Sequence, residues 1–409
     1  MSTITWLHLS DLHFKADEQY KENSKVVLEK LLSNIQVEML EKRNLIPDLI
    51  MVTGDIANSG TQEEYILAKE FFDKLLSKIG LQKGQLLIIP GNHDVVRSEI
   101  SYGVKTIISS LDEQEKVYKF FVDSEDRKFI LRKLKNYTNF IRNYTGDSLH
   151  LNDENYYCFV RNLKDKNIVI IGLNSAWASG DNDEVEGKIL LGEMQVRRAI
   201  EKFSKADLYI IMMHHPIECL KEFDMDSCKK LLFEKNALVL QGHKHDQAFE
   251  RRELLSSGYF LTFSAGSAYE SINKHNGYNF VKINLESNSG IIYPKIWSGN
   301  VTGNWIDDVL SVGELQEGGR KFNLSQKLSL ELKESSEEKI LPKTAYQNHE
   351  KSWEYTCALQ KTQLNLMPSD IYGLFQEHSA RKIILEMEKI YKTKNPKLHA
   401  QFLKELLNG

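Results

Sequence analysis

"LIIPGNHDVV", residues 87–96, is an aliphatic run that stops abruptly at glycine, asparagine, histidine and aspartate. The aliphatic half is typical of a buried strand, whereas Gly91, Asn92 and Asp94 are residues that favour turns. A turn alone would account for these three residues. A cluster of polar side chains after a buried strand is also typical of a binding site, and other strands that end in the same way would favour that second explanation.

Four other predicted strands end in a similar polar cluster. ITWLHLS and DLIMVTG precede the GNHD turn in the chain, and DLYIIMMHH and ALVLQGH follow it. The polar residues at these four ends are Asp11, His13, Asp55, His214, His215, His243 and His245. Because the carboxyl ends of parallel strands line a common crevice, we expect these side chains to converge there.

Asp, His and Asn side chains without cysteine are typical of sites for divalent cations such as Mn, Fe, Zn or Ni. Six of the twelve histidines in the chain lie at these strand ends, which adds to the pattern. Two cations about 3.5–4 Å apart would need a bridging carboxylate and would suit displacement at phosphorus. The sequence therefore predicts a metal site for phosphoester chemistry.

Composition and charge predict a cytoplasmic enzyme with no membrane partner. The net charge of −4 gives no general attraction to nucleic acid or membrane, and the four cysteines lack a C-x-x-C pair, as expected in a reducing compartment. We see neither a signal peptide nor an apolar run of about 20 residues. The signatures of P-loop NTPases, serine hydrolases and zincins are also absent.

Strand and helix patterns divide the chain into three parts. Residues 1–330 are predicted to form a catalytic domain in which aliphatic strands alternate with helices, the pattern typical of parallel sheets. Within it, about 99–146 is an insertion of helix alone. Residues 331–365 are predicted to form a linker. Residues 366–409 are predicted to form a small helical module that serves oligomerisation or partner docking, or that covers the core.

The five strand-end motifs resemble those of the calcineurin-like metallophosphoesterases. The family pattern is D-x-H, GD, GNH(D/E), H and GH-x-H, in that order, and every element is present between Ser10 and His245. Five motifs in one order are far more specific than a single GNHD string. The resemblance implies an α/β fold, a two-sheet α/β/β/α sandwich, with two divalent metal ions at the strand ends.

The resemblance also implies a role for each motif residue. One metal would be held by Asp11, His13, Asp55 and His245, and the other by Asp55, Asn92, His214 and His243. Asp55 would bridge the two ions, for which we favour manganese, and a hydroxide between them would be the nucleophile. His93 would face the substrate and stabilise its phosphoryl oxygens or protonate the leaving group.

Further polar residues near these motifs have two explanations each. We place Asp94 with His93 among the catalytic residues, as a partner that orients a neighbouring group, or as the residue that closes the turn. Arg97, together with Asn92 and His93, is assigned to the substrate contacts, with a solvated loop position as the alternative for Arg97. His215 is expected beside the ligands rather than among them, and His8 is expected to be structural.

The helical insertion carries a basic stretch with aromatic residues. Residues 127–146 contain six Lys or Arg and no acid, and their aromatic side chains are Tyr137, Phe140 and Tyr144, with Phe129 nearer the start. Such a helix could guide a nucleic-acid strand. The alternative, which we favour, is that acids in residues 112–126 neutralise much of this charge across a helical hairpin and that the aromatics form its core.

Local sequence favours a diester substrate. GDIANSGTQEEY resembles the cyclic-nucleotide phosphodiesterase branch, whose GD motif is often followed by S-G-x-x-E-Y, whereas phosphoprotein phosphatases usually have GD-x-x-D-R-G and GNHE. The leading hypothesis is a phosphodiesterase that hydrolyses nucleotide or nucleic-acid phosphodiester bonds. One alternative is a DNA or RNA nuclease with the basic insertion as strand guide. Another is a binding or scaffold subunit that docks through its C-terminal helices, which the complete ligand set disfavours.

Overall fold

Two β-sheets with helices on their outer faces make up the part of the chain that the structure, a computed structural model, describes. The described residues are 3–122, 124–146, 159–163, 167–180, 186–203, 205–254, 258–299, 302–309, 311 and 318–324. The predicted linker and C-terminal helical module lie outside these residues, so both stay predictions.

The first sheet contains the strands that precede three of the metal motifs. Its members are β1 (Thr3–Leu9), β2 (Leu49–Val52), β3 (Leu86–Ile88), β10 (Gly277–Asn284), β11 (Ser289–Trp297), β12 (Trp305–Asp307) and β13 (Arg320–Asn323). The order is β12-β11-β10-β1-β2-β3, and β13 pairs with β11. Strands β1, β2 and β3 are parallel, as their alternation with helices predicted, and β10 pairs with β1 in the antiparallel direction.

The second sheet contains the strands that precede the other two motifs. Its members are β4 (Phe159–Leu163), β5 (Ile168–Gly172), β6 (Leu208–Met212), β7 (Leu238–Gln241), β8 (Gln247–Leu254) and β9 (Gly258–Ala265), in the order β4-β5-β6-β7-β9-β8. Strands β5, β6, β7 and β9 are parallel, with β4 and β8 antiparallel at the two edges. The sequence did not indicate β8, whose segment QAFERREL is rich in charge.

Eight α-helices are described. They are α1 (Glu18–Val37), α2 (Gln62–Ile79), α3 (Tyr102–Ser110), α4 (Gln114–Val122), α5 (Ser124–Leu131), α6 (Lys135–Thr145), α7 (Glu193–Lys202) and α8 (Glu222–Glu234). Helices α3 to α6 make up the predicted helical insertion, whereas α8 was not predicted. None of the described helices has the length and apolarity that crossing a membrane would require.

Alternating side chains give each sheet two buried faces. In β1, Ile4 and Trp6 belong to a core between the two sheets, whereas Leu7 and Leu9 belong to a core on the outer side of the first sheet. Helices α1, α2 and α6 cover that outer core, and α3, α4, α5, α7 and α8 cover the outer face of the second sheet. The layers are therefore helices, sheet, sheet and helices, which confirms the predicted sandwich.

The aromatic residues of the insertion lie in the core. Tyr137, Phe140 and Tyr144 are buried in the outer core of the first sheet, and the ring of Phe140 stacks on that of Tyr65 at a centroid distance of 5.0 Å. Rings enclosed in this way present no face to a nucleobase. The structure therefore supports the explanation in which these aromatics hold the insertion to the domain.

Several charges of the insertion form pairs within one helix or its adjoining turn. The acids Asp112, Glu113 and Glu115 pair with lysines of their own or the adjoining turn, at spacings of three or four residues. Within the basic stretch, Lys128 pairs with Glu125, also three residues away. Local pairs of this kind need no long-range geometry, whereas Lys135 pairs with Glu99, 36 residues away, at 2.6 Å. Pairing across a hairpin stays a prediction.

Candidate metal centre

All seven predicted ligands lie in the loops that follow the carboxyl ends of five strands. Asp11 and His13 follow β1, and Asp55 and Asn92 follow β2 and β3 of the first sheet. His214 follows β6, and the loop after β7 carries both His243 and His245. The two sheets thus contribute to one site, and the structure brings the predicted ligands together.

The backbone at these positions is unusual. Nine described residues other than glycine have positive φ, and four of them are asparagines. The other five are candidate ligands: Asp11 (φ 52°), His13 (46°), Asp55 (52°), His243 (73°) and His245 (59°). A left-handed backbone at such residues costs on the order of 1 kcal/mol each, and strain of this kind concentrates at functional sites. The fold therefore maintains this strain where the ligands converge.

The first group of ligands surrounds the Nε2 atoms of two histidines. His13 Nε2 lies 3.0 Å from His245 Nε2, and Asp11 Oδ1 lies 3.8 Å from the former and 3.4 Å from the latter. Burial lowers the pKa of His13 to about 4, so this ring is neutral at pH 7 and offers a lone pair. Imidazole and carboxylate atoms that face each other at such distances form a donor set for a cation.

The second group converges on the side-chain oxygen of Asn92. His214 Nε2 lies 3.0 Å and His243 Nδ1 lies 3.1 Å from Asn92 Oδ1. The same His214 nitrogen lies 3.2 Å from Asp55 Oδ2. Burial lowers the pKa of His243 to about 4, which leaves that ring neutral at pH 7. Asn92 adds an oxygen ligand here without adding a negative charge.

Asp55 lies between the two groups. Its Oδ2 is 3.2 Å from His214 Nε2 and 4.0 Å from His13 Nε2, while its Oδ1 accepts a hydrogen bond from His93 N at 2.7 Å. Oδ2 is buried and has no hydrogen-bond partner among the described residues. Without a cation, the neighbour that can balance the charge of this buried oxygen is the protonated His214 ring, and a cation would take the place of that proton. The residues therefore fit a pair of metal ions bridged by Asp55.

Two ligand histidines are oriented by partners that the sequence did not indicate. The backbone carbonyl of Thr53 lies 2.7 Å from His214 Nδ1, and Glu270 Oε2 lies 3.2 Å from His245 Nδ1. A donor N–H at each Nδ1 leaves Nε2 with its lone pair toward the centre, which is the arrangement typical of metal-bound histidine. Glu270 also lies 3.5 Å from Lys274 Nζ, and no motif includes it.

The carboxylates of the centre hold protons on two histidines when no cation is bound. Burial alone would lower the pKa of His214, but the adjacent Asp55 outweighs it and raises this pKa to about 9. Asp11 and Glu270 likewise raise the pKa of His245 to about 9 against the effect of burial. At pH 7, which is below both values, each ring is protonated, and a cation must displace that proton.

Metal binding at pH 7 is therefore expected to release about two protons, and metal affinity is expected to fall as the pH falls. Titration calorimetry of metal-stripped protein in buffers of different ionisation enthalpy counts the protons released. Binding without proton release would contradict the assignment of His214 and His245 as ligands.

Glu270→Ala is expected to weaken metal binding about 10- to 100-fold, because it removes the partner that orients His245. Lys274→Ala is the control, since it removes only the exposed side chain that pairs with Glu270. Metal affinity measured by titration with Mn²⁺ would show the difference. Equal affinity in the two variants would mean that Glu270 does not orient His245 in the way that the Thr53 carbonyl orients His214.

The remaining predicted site residues occupy different surroundings. His93 is half-buried, its ring centroid lies 4.7 Å from that of His13, and its Nδ1 lies 2.8 Å from the Asn58 carbonyl oxygen. Arg97 is exposed and donates to the Gly180 carbonyl at 3.2 Å, so its contact with substrate stays a prediction.

His215 and His8 are both buried. His215 Nδ1 lies 2.8 Å from Ser175 Oγ, and its ring centroid lies 4.6 Å from that of His243. His214, His215 and His243 offer nitrogens within 4.8 Å of one another, so His215 lies directly beside two candidate ligands. His8 Nε2 lies 3.0 Å from Thr53 Oγ1 within the sandwich, in agreement with a structural role.

Asp94 is engaged with the loops around the centre, and its place among the catalytic residues stays a prediction. Its fully buried carboxylate accepts hydrogen bonds from the backbone of Gly91, Ile56 and Ala57 and from the Tyr65 hydroxyl. With its oxygens engaged in this way, Asp94 orients the loops around the centre. These contacts support the first of the two explanations offered by the sequence, that of a partner that orients neighbouring groups.

The chain belongs to the calcineurin-like phosphoesterase family, whose model matches residues 4–247. The matched segment includes every predicted metal ligand and the five strands that precede the metal motifs. The protein is therefore a metal-dependent phosphoric ester hydrolase of the class that the fold and the ligand groups define.

Individual relatives share parts of this chain. A metallophosphoesterase-like protein of Bacillus subtilis, YydB, which is itself uncharacterized, is 24% identical over 339 residues, covering 81% of this chain and 67% of the relative. A probable glycerophosphodiester phosphodiesterase, GpdQ, of Arcobacter nitrofigilis is 37% identical over 90 residues, which are 22% of this chain and 29% of that protein.

Solved structures also resemble the chain. A dimetal phosphatase from Danio rerio aligns over 79% of this chain and 99% of its own, with 10% sequence identity and a TM-score of 0.41. A 5'-nucleotidase from Candida albicans aligns over 69% of this chain and 47% of its own, with 13% identity and a TM-score of 0.37.

Proposed function

We propose that the protein is a phosphodiesterase that hydrolyses a nucleotide or nucleic-acid phosphodiester bond with two divalent metal ions, manganese favoured. The observation that carries this proposal is the buried Asp55 Oδ2 between two groups of nitrogen and oxygen donors. Diester chemistry is supported by the S-G-x-x-E-Y run after the GD motif. The short match to a protein named as a probable glycerophosphodiester phosphodiesterase also supports a diester, although that name refers to a glycerol diester and not to a nucleotide.

The residues of the chain divide the work of such a reaction. Two bound cations would polarise the phosphoryl oxygens and activate a water molecule. Asp55 holds the two groups of ligands in one position, and Asn92 keeps the added charge low. His93 has its Nδ1 against the Asn58 carbonyl, which fixes the ring and leaves Nε2 as the atom that can give a proton to the leaving alcohol.

A nuclease with the insertion as strand guide is the second candidate. Lys128, Arg132, Lys135 and Arg142 of the basic stretch are exposed, so they are placed to contact phosphates. The buried aromatics Tyr137, Phe140 and Tyr144 cannot stack on bases, so this candidate keeps only the basic side chains as contacts for a strand. We therefore favour a small phosphodiester over a nucleic-acid strand as the substrate.

A panel of substrates separates these candidates. Metal-stripped protein, with and without Mn²⁺, would be given bis-p-nitrophenyl phosphate, a cyclic nucleotide and a labelled single-stranded oligonucleotide. We expect Mn²⁺-dependent hydrolysis of the small diesters. Cleavage of the oligonucleotide alone would favour the nuclease. Hydrolysis of none of the three with any divalent metal would contradict the proposal and favour the binding-subunit hypothesis.

Partners and location belong to the same proposal. Association with a protein partner, or self-association, through residues 366–409 is proposed from sequence alone. A cytoplasmic location is supported by Cys219 and Cys228, which are buried free thiols as in a reducing compartment.

A further inference from the structure

The SGTQEEY run, residues 59–65, contributes no candidate ligand, yet it lies against two loops that do. Glu64 Oε2 accepts hydrogen bonds from Ser59 N and Thr61 N, both at 3.0 Å, and the second bond completes a capping box at the start of α2. Gly60 has φ of +66°, and an ideal Cβ there would lie 2.7 Å from the Asp94 carbonyl oxygen. Only glycine fits this contact, so the run is built against the GNHD turn.

The Asp94 carboxylate joins this run to both loops. Its Oδ2 accepts from Gly91 N at 2.9 Å, within the GNHD turn, and from Ile56 N at 3.3 Å, within the GD loop. Its Oδ1 accepts from Ala57 N at 3.0 Å and from the Tyr65 hydroxyl at 2.9 Å. Three of these four donors belong to the loops themselves. The fourth, Tyr65, belongs to a helix.

Tyr65 is fixed in turn by the scaffold. It is buried in the first turn of α2, and its ring stacks on Phe140 of α6 with an interplanar angle of 20°. The hydroxyl is thus held by packing that does not depend on the loops. A left-handed backbone such as that of Asp55 persists only where its surroundings determine it, and the bond from Tyr65 to Asp94 supplies such a restraint.

We propose that Tyr65 is a positioning residue of the metal centre: its hydroxyl, acting through Asp94, sets the relative position of Asp55 and Asn92. The inference rests on the proposed function only in requiring that these two residues bind metal. It assigns a physical task to the S-G-x-x-E-Y run, which places the second ligand group rather than contacting the substrate.

Tyr65→Phe removes the hydroxyl and keeps the ring. We expect this variant to bind Mn²⁺ about 10-fold more weakly or worse, as typical for loss of an orienting partner. Tyr144→Phe is the matched control, because Tyr144 stacks on the same Phe140 and its hydroxyl also donates to a carboxylate, Asp73, at 2.8 Å. Asp73 lies on the outer part of α2, away from the metal loops, so the control should bind Mn²⁺ as the wild type does.

Titration of metal-stripped proteins measures this effect without substrate, and thermal unfolding of the same samples measures stability. A purely structural role predicts a lower midpoint of unfolding for Tyr65→Phe with unchanged Mn²⁺ affinity, and that result would overturn the inference. Failure of Tyr65→Phe to fold, or absence of Mn²⁺ binding by the wild type, would overturn it as well. Wild-type protein that binds Mn²⁺ but hydrolyses no phosphodiester contradicts only the proposed function.

A double-mutant cycle tests the route through Asp94. In the Asp94→Ala background both carboxylate oxygens are absent, so we expect Tyr65→Phe to change Mn²⁺ affinity very little further. Additive losses in the double variant would mean that the hydroxyl acts elsewhere, and they would overturn the proposed route.

Discussion

Asp55→Asn is expected to lower kcat/KM for any diester that the protein hydrolyses by at least about 10³-fold. Removing a single neutral donor from an active site already costs roughly 10²- to 10³-fold, and Asp55 supplies the charged oxygen shared by both groups of ligands. Asparagine also tolerates the left-handed backbone of this position, φ 52°, so the substitution changes the charge without adding strain.

The fold of this variant is expected to survive. The nearest partner of the buried Asp55 Oδ2 is His214 Nε2 at 3.2 Å, and losing the Asp55 charge lowers the pKa of His214, so this ring can lose its proton instead of staying charged and unpaired. Circular dichroism and thermal unfolding of the metal-stripped protein would check this. Asp112→Asn, an exposed acid of the insertion, is the control for a lost charge. Near-normal turnover in Asp55→Asn or Asp55→Ala would refute the bridging assignment.

Gly91→Ala is expected to disrupt the centre almost as severely. Gly91 has φ of −111° and ψ of −177°, a conformation that alanine adopts readily, so the substitution causes no backbone strain by itself. An ideal Cβ would, however, lie 2.1 Å from Asp55 Oδ1 and 2.5 Å from Asp55 N. The carboxylate must move away, and we expect loss of Mn²⁺ affinity together with about 1–3 kcal/mol of stability from overpacking.

Gly103→Ala is the matched control for that substitution. Gly103 lies in α3, and its added Cβ would meet the ring of Phe129 at 3.6 Å, an ordinary contact. Alanine is the better helix former, so this variant should be as stable as the wild type or more stable by up to about 1 kcal/mol. Unchanged Mn²⁺ affinity in Gly91→Ala would show that the GNHD turn can shift without moving the bridging ligand.

The convergence of the candidate ligands could be predicted from sequence because each one lies shortly after a strand end. A short apolar run and the polar residue after it are local features, and the parallel topology that brings them together follows from the alternation with helices. The partners of the ligands could not be predicted in this way. Glu270 is 25 residues from His245 in the chain and belongs to no motif, so only the folded backbone places it there.

Two further features of the fold, helix α8 and the local ion pairs of the insertion, were not predicted. Helix α8 was missed because only four of its thirteen residues, Asp224, Cys228, Leu231 and Leu232, are buried, which leaves a weak apolar periodicity. Ion pairs three or four residues apart in the insertion were not predicted either, because they form within a turn of helix and need no tertiary contact. The aromatic spacing in α6 was a better guide, because burial fixes one face of a helix.

The origin of the ligands in two sheets has a consequence for the whole domain. Each group takes residues from the loops of both sheets, so a bound cation is a cross-link between the two halves of the sandwich. Unfolding would separate the halves and release the ions, so the stability of the domain is coupled to the free concentration of metal. At a hundred times the dissociation constant, one such cross-link adds about 2.7 kcal/mol to the free energy of unfolding. Ions bound for catalysis would therefore also stabilise the fold reversibly.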